Sequence, residues 1–184
     1  MLVFLDFEAS SLGKRSYPIE VGWVFEDGRC ESHLIRPGPE WTDWDQQAEA
    51  IHHISRSHLF AEGSPHDVVA ERMIEELSGH DLLASAPSWD GKWLSALLRA
   101  AGLPRHSLRL RDTDEALRES AMAILAPIIS ADRLDDAAAE ILALSEVRAP
   151  HQQPAHRALA DAEEERARWL VVQAAARRMA AKAQ

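Results

Sequence analysis

MLVFLDFE, residues 1–8, decides how this chain is read. Residues 2–7 form an apolar run broken only near its end by Asp6, the pattern of a central strand buried on both faces. Successive strand residues point to opposite faces of a sheet, so Asp6 and Glu8 project together while Phe7 points away. Two neighbouring carboxylates repel and raise each other's pKa unless a cation lies between them. Hard divalent ions such as Mg²⁺ or Mn²⁺ take oxygen ligands of this kind. A strand that simply emerges into solvent accounts for the triplet equally well.

Outward from that strand, Ser10, Ser11 and Gly13 mark a turn. Residues 19–25 (IEVGWVF) are rich in β-branched and aromatic side chains and read as a second strand. Asp27-Gly28 signals a hairpin into a third strand over 30–36, ended by Pro37-Gly38-Pro39. Residues 40–64 are irregular, with short helical pieces over 43–50 and 55–60. Residues 65–77 carry apolar positions at helical spacing, closed by Ser78-Gly79. A strand over 81–86, a helix over 89–101, an edge strand over 108–110 and helices over 112–125, 134–144 and 158–179 follow. Pro150 and Pro154 bracket a loop before the last helix. The order β-β-β-α-β-α-β-α-α-α gives an α/β fold: a mixed five-stranded sheet begun by an antiparallel hairpin, with helices on its faces. A length of 184 residues fits one domain over 1–184.

Hydrophobic residues make up 46% of the chain, enough for a sizeable core. The one cysteine, Cys30, excludes an intrachain disulfide and suits a reducing compartment. No stretch approaches a membrane span, and the N-terminal apolar run is short and lacks a basic leader. The expectation is a cytoplasmic protein with no membrane partner. The net charge of −10 speaks against a nucleic-acid partner, because phosphate binding rests on Lys and Arg. Carboxylates that gather divalent ions are themselves acidic, however, and the bound ions reverse the local sign. Residues 166–184 also hold five cations (Arg166, Arg168, Arg177, Arg178 and Lys182) and no acid, either as a solvated helix face or as a substrate contact. The alanine-rich helix over 157–183 is compatible with a homodimer, although an ordinary domain helix is the simpler reading.

Two further features bear on chemistry. His156 precedes Asp161 by five residues in PAHRALADAEEE. Within one helix, positions five apart lie ~140° around the axis and do not share a face. A helix beginning just after His156 would instead leave the histidine on a loop, free to reach over an ion held by Asp161. Asp90, in SAPSWDGKWL, opens a helix after an apolar strand. Each feature alone is also explained by an ordinary helix start.

Together they resemble the DEDD family of 3′–5′ exonucleases, in its histidine-bearing branch. Asp6-Phe7-Glu8-Ala9-Ser10-Ser11-Leu12-Gly13 is similar to that family's first motif. Ser85-Ala86-Pro87-Ser88-Trp89-Asp90-Gly91-Lys92-Trp93-Leu94 is similar to the second, and His156 through Asp161 to the third. Ile51-His52-His53-Ile54-Ser55 resembles the segment between the first two motifs, and Pro18-Ile19-Glu20-Val21-Gly22 the family's second strand. The matches run in family order across most of the chain. Ser85 stands where the family often has Asn, Trp89 and Trp93 where it has Phe, and His53 where it has Gly.

The resemblance implies an RNase H-like fold and a nuclease that works with two Mg²⁺ or Mn²⁺ ions. Asp6 would bridge the ions, Glu8 and Asp161 would complete the site of the attacking water, and Asp90 would serve the ion beside the leaving oxygen. His156 would be the general base, a task suited to imidazoles, which as a class titrate near neutrality. The substrate implied is the 3′ end of single-stranded DNA or RNA, released as nucleoside 5′-monophosphates. Backbone N–H groups at Ala9 and Ser10 would hold the terminal 3′-hydroxyl, and Ile51 and His52 would wedge or stack against the last bases. Trp41 and Trp44 are further stacking candidates, and Lys14 and Arg15 lie near enough in sequence to meet a phosphate. Two alternatives share these residues: a phosphodiesterase restricted to short oligonucleotides, and a catalytically silent nucleic-acid-binding module.

Overall fold

The computed structural model describes residues 1–145 and 156–183, so the loop bracketed by Pro150 and Pro154 lies outside the described residues. Strands β1 (Leu2–Ala9), β2 (Pro18–Phe25) and β3 (Cys30–Arg36) form an antiparallel meander. Gly28, at φ 96°, adopts the left-handed conformation that the β2–β3 turn requires. Helices α1 (Gln46–His52) and α2 (Arg56–Glu62) follow, each capped by a side chain at its start: Asp45 accepts from Gln47 N–H and Ser55 from His58 N–H. Next come β4 (Ser64–Pro65), α3 (His66–Leu77), β5 (Asp81–Ala84), α4 (Pro87–Ala100), β6 (Leu110–Asp112), α5 (Thr113–Leu125), α6 (Ala131–Ser145) and α7 (Ala158–Lys182).

The sheet has six strands in the order β4-β3-β2-β1-β5-β6, with β5 and β6 parallel to β1. It contains the hairpin and the central first strand expected from the sequence, plus the two-residue β4, parallel to the edge of β3. Several boundaries moved, two of them for a clear local reason. The sixth strand is Leu110–Asp112 rather than 108–110, because Leu108 turns into the core instead of pairing. Helix α4 begins at Pro87, two residues early, because proline's fixed φ suits the first helical position.

Alternation along β1 divides the interior. Val3, Leu5, Phe7 and Ala9 join Val21, Trp23 and Phe25 in a core closed by α3 and α4. Phe4, with Val24 and Leu83, faces a second core closed by α5, α6 and α7. Both faces are therefore covered, which is why all eight residues of β2 are buried. Each fully buried Leu, Val or Phe contributes roughly 1.5–3 kcal/mol. Asp6 and Glu8 share the face of Phe4, beneath α7. No helix of the described residues is long and apolar enough to cross a membrane.

Candidate metal centre

Helix α7 lies across β1 and β2, and the contact at its first turn sets the site. Gly22, opposite Asp6 in the strand register, lies directly under that turn. A Cβ at Gly22 would sit 2.3 Å from the backbone nitrogen of Leu159 and 2.5 Å from its Cα, so only glycine lets the helix come this close.

The neighbouring inward position on β2 is Glu20, opposite Glu8 and only 1% exposed. The Arg157 guanidinium donates from Nη2 to Glu20 Oε1 at 2.6 Å and from Nε to Oε2 at 3.0 Å. The Ala158 N–H donates to the same Oε2 at 3.0 Å. Glu20 thus caps α7 from outside the helix, satisfying one of the N–H groups that a helix start leaves open. His156, one residue before the cap, holds φ 47°, a left-handed conformation uncommon for any residue but glycine.

This start brings His156 and Asp161 to the end of β1. One ligand atom each from Glu8, His156 and Asp161 all lie within 4.8 Å of one another. Ligands on opposite sides of a divalent ion, each bound at ~2.1–2.4 Å, are separated by about 4.2–4.8 Å, so the three fit around one cation. All three are half-buried, as is Asp6.

Asp90 arrives from the other side, in the first turn of α4, just past the end of β5. It is 1% exposed, and its Oδ2 is buried with no hydrogen-bond partner among the described residues. Burial pushes its pKa up to about 7, opposed by the backbone N–H groups of Ala86, Phe7 and Asp90 itself. Asp6 is held well above the usual carboxylate range, first by burial and then by the charges of Asp90, Glu8, Asp161 and Glu165. Glu8 is raised to about 8, first by burial and then by Asp161 and Glu20, with Arg157 pulling the other way. These are carboxylates crowded by one another, at the ends of parallel strands where open α/β sheets gather ligands. A hard divalent cation would relieve both burial and repulsion, and the donor set of carboxylate oxygens plus one imidazole suits it.

Several expected contacts come out differently. The Ser10 N–H donates to Tyr17 C=O at 3.0 Å and its hydroxyl accepts from Tyr17 N–H at 3.2 Å, so Ser10 is occupied in holding the loop and its N–H is not open to a 3′-hydroxyl. Ala9 lies at the irregular end of β1, opposite Pro18. Ile51 is 51% exposed on α1 and open to a base. His52 is only 2% exposed, accepts from Ile54 N–H at Nδ1 and packs its ring edge against Trp44, so it cannot stack on a base. Trp41 stacks on Tyr17, and Trp44 donates to Glu49, so both anchor the loop. Lys14 and Arg15 are exposed.

Glu20 and Gly22 were read only as part of the second strand, and Arg157 and Glu165 were given no role in the site. Glu20 left a signal, since an acid inside an otherwise apolar strand must find a partner. Glu165 left another, one helical turn beyond Asp161 on the same face.

No family model matches the chain, and no curated protein matches it. Among solved structures it is similar to Escherichia coli exonuclease I. The zinc-bound complex of that protein with single-stranded DNA superposes with a TM-score of 0.67 at 16% identity, over 94% of this chain and 40% of that one. Its complex with a dT13 oligonucleotide gives 0.63 at 17% identity, over 90% and 39%. A product-bound exonuclease I gives 0.65 at 16% identity, over 94% and 43%. The fold is thus RNase H-like, of the exonuclease I kind, and the chain spans about two fifths of the length of these neighbours.

Proposed function

We propose that this chain is a divalent-metal-dependent 3′–5′ exonuclease of the histidine-bearing DEDD type, releasing nucleoside 5′-monophosphates from single-stranded DNA or RNA. The observation that carries the reading is the meeting of Asp6, Glu8, Asp90, Asp161 and His156, from three distant stretches of sequence, around the end of the interior strand β1. The single-stranded DNA seen in structures of the E. coli neighbour supports the substrate class.

Two Mg²⁺ or Mn²⁺ ions, when bound, would neutralise charge on the phosphodiester and acidify the attacking water. Asp6 would touch both ions, Glu8 and Asp161 would hold the one on the water's side, and Asp90 the one beside the leaving 3′-oxygen. His156, poised outside the helix, takes the proton from the attacking water. Ile51 and the backbone at Ala9 contact the terminal nucleotide.

The test is a length series of 5′-labelled single-stranded DNA and RNA, incubated with Mn²⁺ or with EDTA. Stepwise shortening from the 3′ end that needs Mn²⁺ and disappears in Asp161→Ala is expected. Degradation persisting in EDTA would overturn the reading, and cleavage confined to the shortest members would point to an oligonucleotide phosphodiesterase.

A further inference from the structure

We propose that a groove between the start of α4 and β6 carries the sugar–phosphate backbone of the single strand away from the candidate metal centre, an inference that rests on the nuclease reading. The groove is a cavity of about 580 Å³. Lys92, Arg105, His106 and Arg109 line it over a floor that includes Leu94 and Leu108, and no acid takes part. In a chain of net charge −10, a lining with three permanent cations and no carboxylate sets this surface apart. The cavity beside the cationic end of α7 differs: Lys182 and Arg133 there share the wall with Asp136 and Glu140.

Pairing separates these cations from others on the surface. Arg72 is bound to Glu31, Glu75 and Glu76, and Arg111, just past the groove, to Asp81 and Glu119. Arg105 and Arg109 are exposed and have no ion pair among the described residues; Arg105 donates only to the His106 ring. Lys92, one of the lining residues, is held by the loop after β1, donating to Gly13 C=O at 2.6 Å and to Ser16 Oγ at 2.8 Å. It therefore supplies charge at a set place.

The groove also touches the right neighbour. Pro87 and Gly91, two of its lining residues, flank Asp90 in the first turn of α4. A strand whose terminal phosphodiester lies beside Asp90 has this cationic surface alongside. Guanidinium groups bind phosphates through paired N–H donors, and an apolar floor lies flat beneath sugars and bases without reading sequence. The ligand class is thus a single-stranded polynucleotide, held by backbone charge.

Binding is tested apart from turnover. The probe is a fluorescein-labelled oligothymidylate of about a dozen nucleotides, within the usual span of single-strand sites, followed by anisotropy in EDTA at several salt concentrations. The paired reversal Arg105→Glu with Arg109→Glu is expected to weaken binding at least tenfold. It should also flatten the salt dependence by about 1.4 or more, at ~0.7 per lost single-strand phosphate contact. Arg177→Glu with Arg178→Glu makes the same change of net charge at exposed positions on α7 and should shift affinity less than twofold. Equal effects of the two pairs, no effect of the first, or no binding by the wild-type protein would overturn the groove. Melting curves matching wild type confirm that each pair folds. Mn²⁺-dependent degradation of the same probe reports separately on the nuclease reading. Degradation with unchanged affinity in the groove variant removes the groove alone, and groove-dependent binding without degradation removes the nuclease alone.

Discussion

Asp6 lies between two demands: its burial and its acidic neighbours favour the neutral acid, while ion binding requires the carboxylate. Replacing it with Asn keeps the shape and removes the charge. Asp6→Asn should abolish Mn²⁺-dependent degradation while the metal-free protein melts no lower than wild type, because the neutral amide suits surroundings that disfavour the charged carboxylate. A lower melting temperature would mean that Asp6 is a structural partner rather than a ligand. His156→Ala should slow degradation by roughly 10²–10⁴, the usual worth of general base catalysis, yet still be stabilised by Mn²⁺ through Asp6, Glu8 and Asp161. A rate equal to wild type would remove the histidine's role. At this scale the sequence was uneven. Asp6 and Glu8 were legible because strand alternation forces them onto one face, whereas His52 was read as stacking against a base because nothing in IHHIS says which histidine turns inward. Ser10 was read for an open backbone N–H, but the partner that occupies it, Tyr17, is set by the loop's closure.

The decisive element is the start of α7. Periodicity located the helix, but its placement over β1 and β2 depends on Gly22 and on Glu20, two positions that sequence spacing cannot link to residue 158. Gly22→Ala would press a methyl group into the backbone at Leu159, where neither side is flexible. A cost of roughly 1–3 kcal/mol is expected from such overpacking, read as a fall in melting temperature of about 2–4 °C per kcal/mol in a chain of this size. Melting at the wild-type temperature would show that the helix can shift without cost. Glu20→Gln is the finer probe. It keeps an acceptor for Ala158 N–H but weakens the hold on Arg157, so His156 and Asp161 lose their fixed approach. The expected result is a fall in kcat of about tenfold or more with KM changed far less, the signature of an interaction made in the transition state. A rise in KM alone would assign Glu20 to substrate binding instead. The hairpin and helices α3, α4 and α7 were legible through turn chemistry and 3.6-residue periodicity. The two-residue β4 was not, and β6 was placed two residues early, because strands of two and three residues carry no period and owe their place to the edges they join.

Over the whole molecule, the acidity that argued against a nucleic-acid partner becomes a property that can be measured. In the folded chain Glu8 titrates at about 8 and Asp90 at about 7, against ordinary values of 4.5 and 3.8. Across that interval the folded state holds protons that the unfolded chain has already released, so the metal-free protein loses stability as pH rises from about 4 to about 8. A divalent ion competes with those protons and reverses the trend, because the ligands must be ionised to bind it. With Mn²⁺ at about a hundred times its dissociation constant, the gain approaches ~2.7 kcal/mol, or about 5–10 °C in a domain of this size. The shift between EDTA and a fixed Mn²⁺ concentration should therefore be small at pH 6, grow through pH 7 and be largest at pH 8. Asp161→Ala should flatten this dependence, since the ion then loses a ligand while Glu8 loses the charge that most raises its pKa after burial. A shift that is the same at pH 6 and pH 8, or one that survives intact in Asp161→Ala, would mean that Mn²⁺ binds elsewhere on this acidic surface.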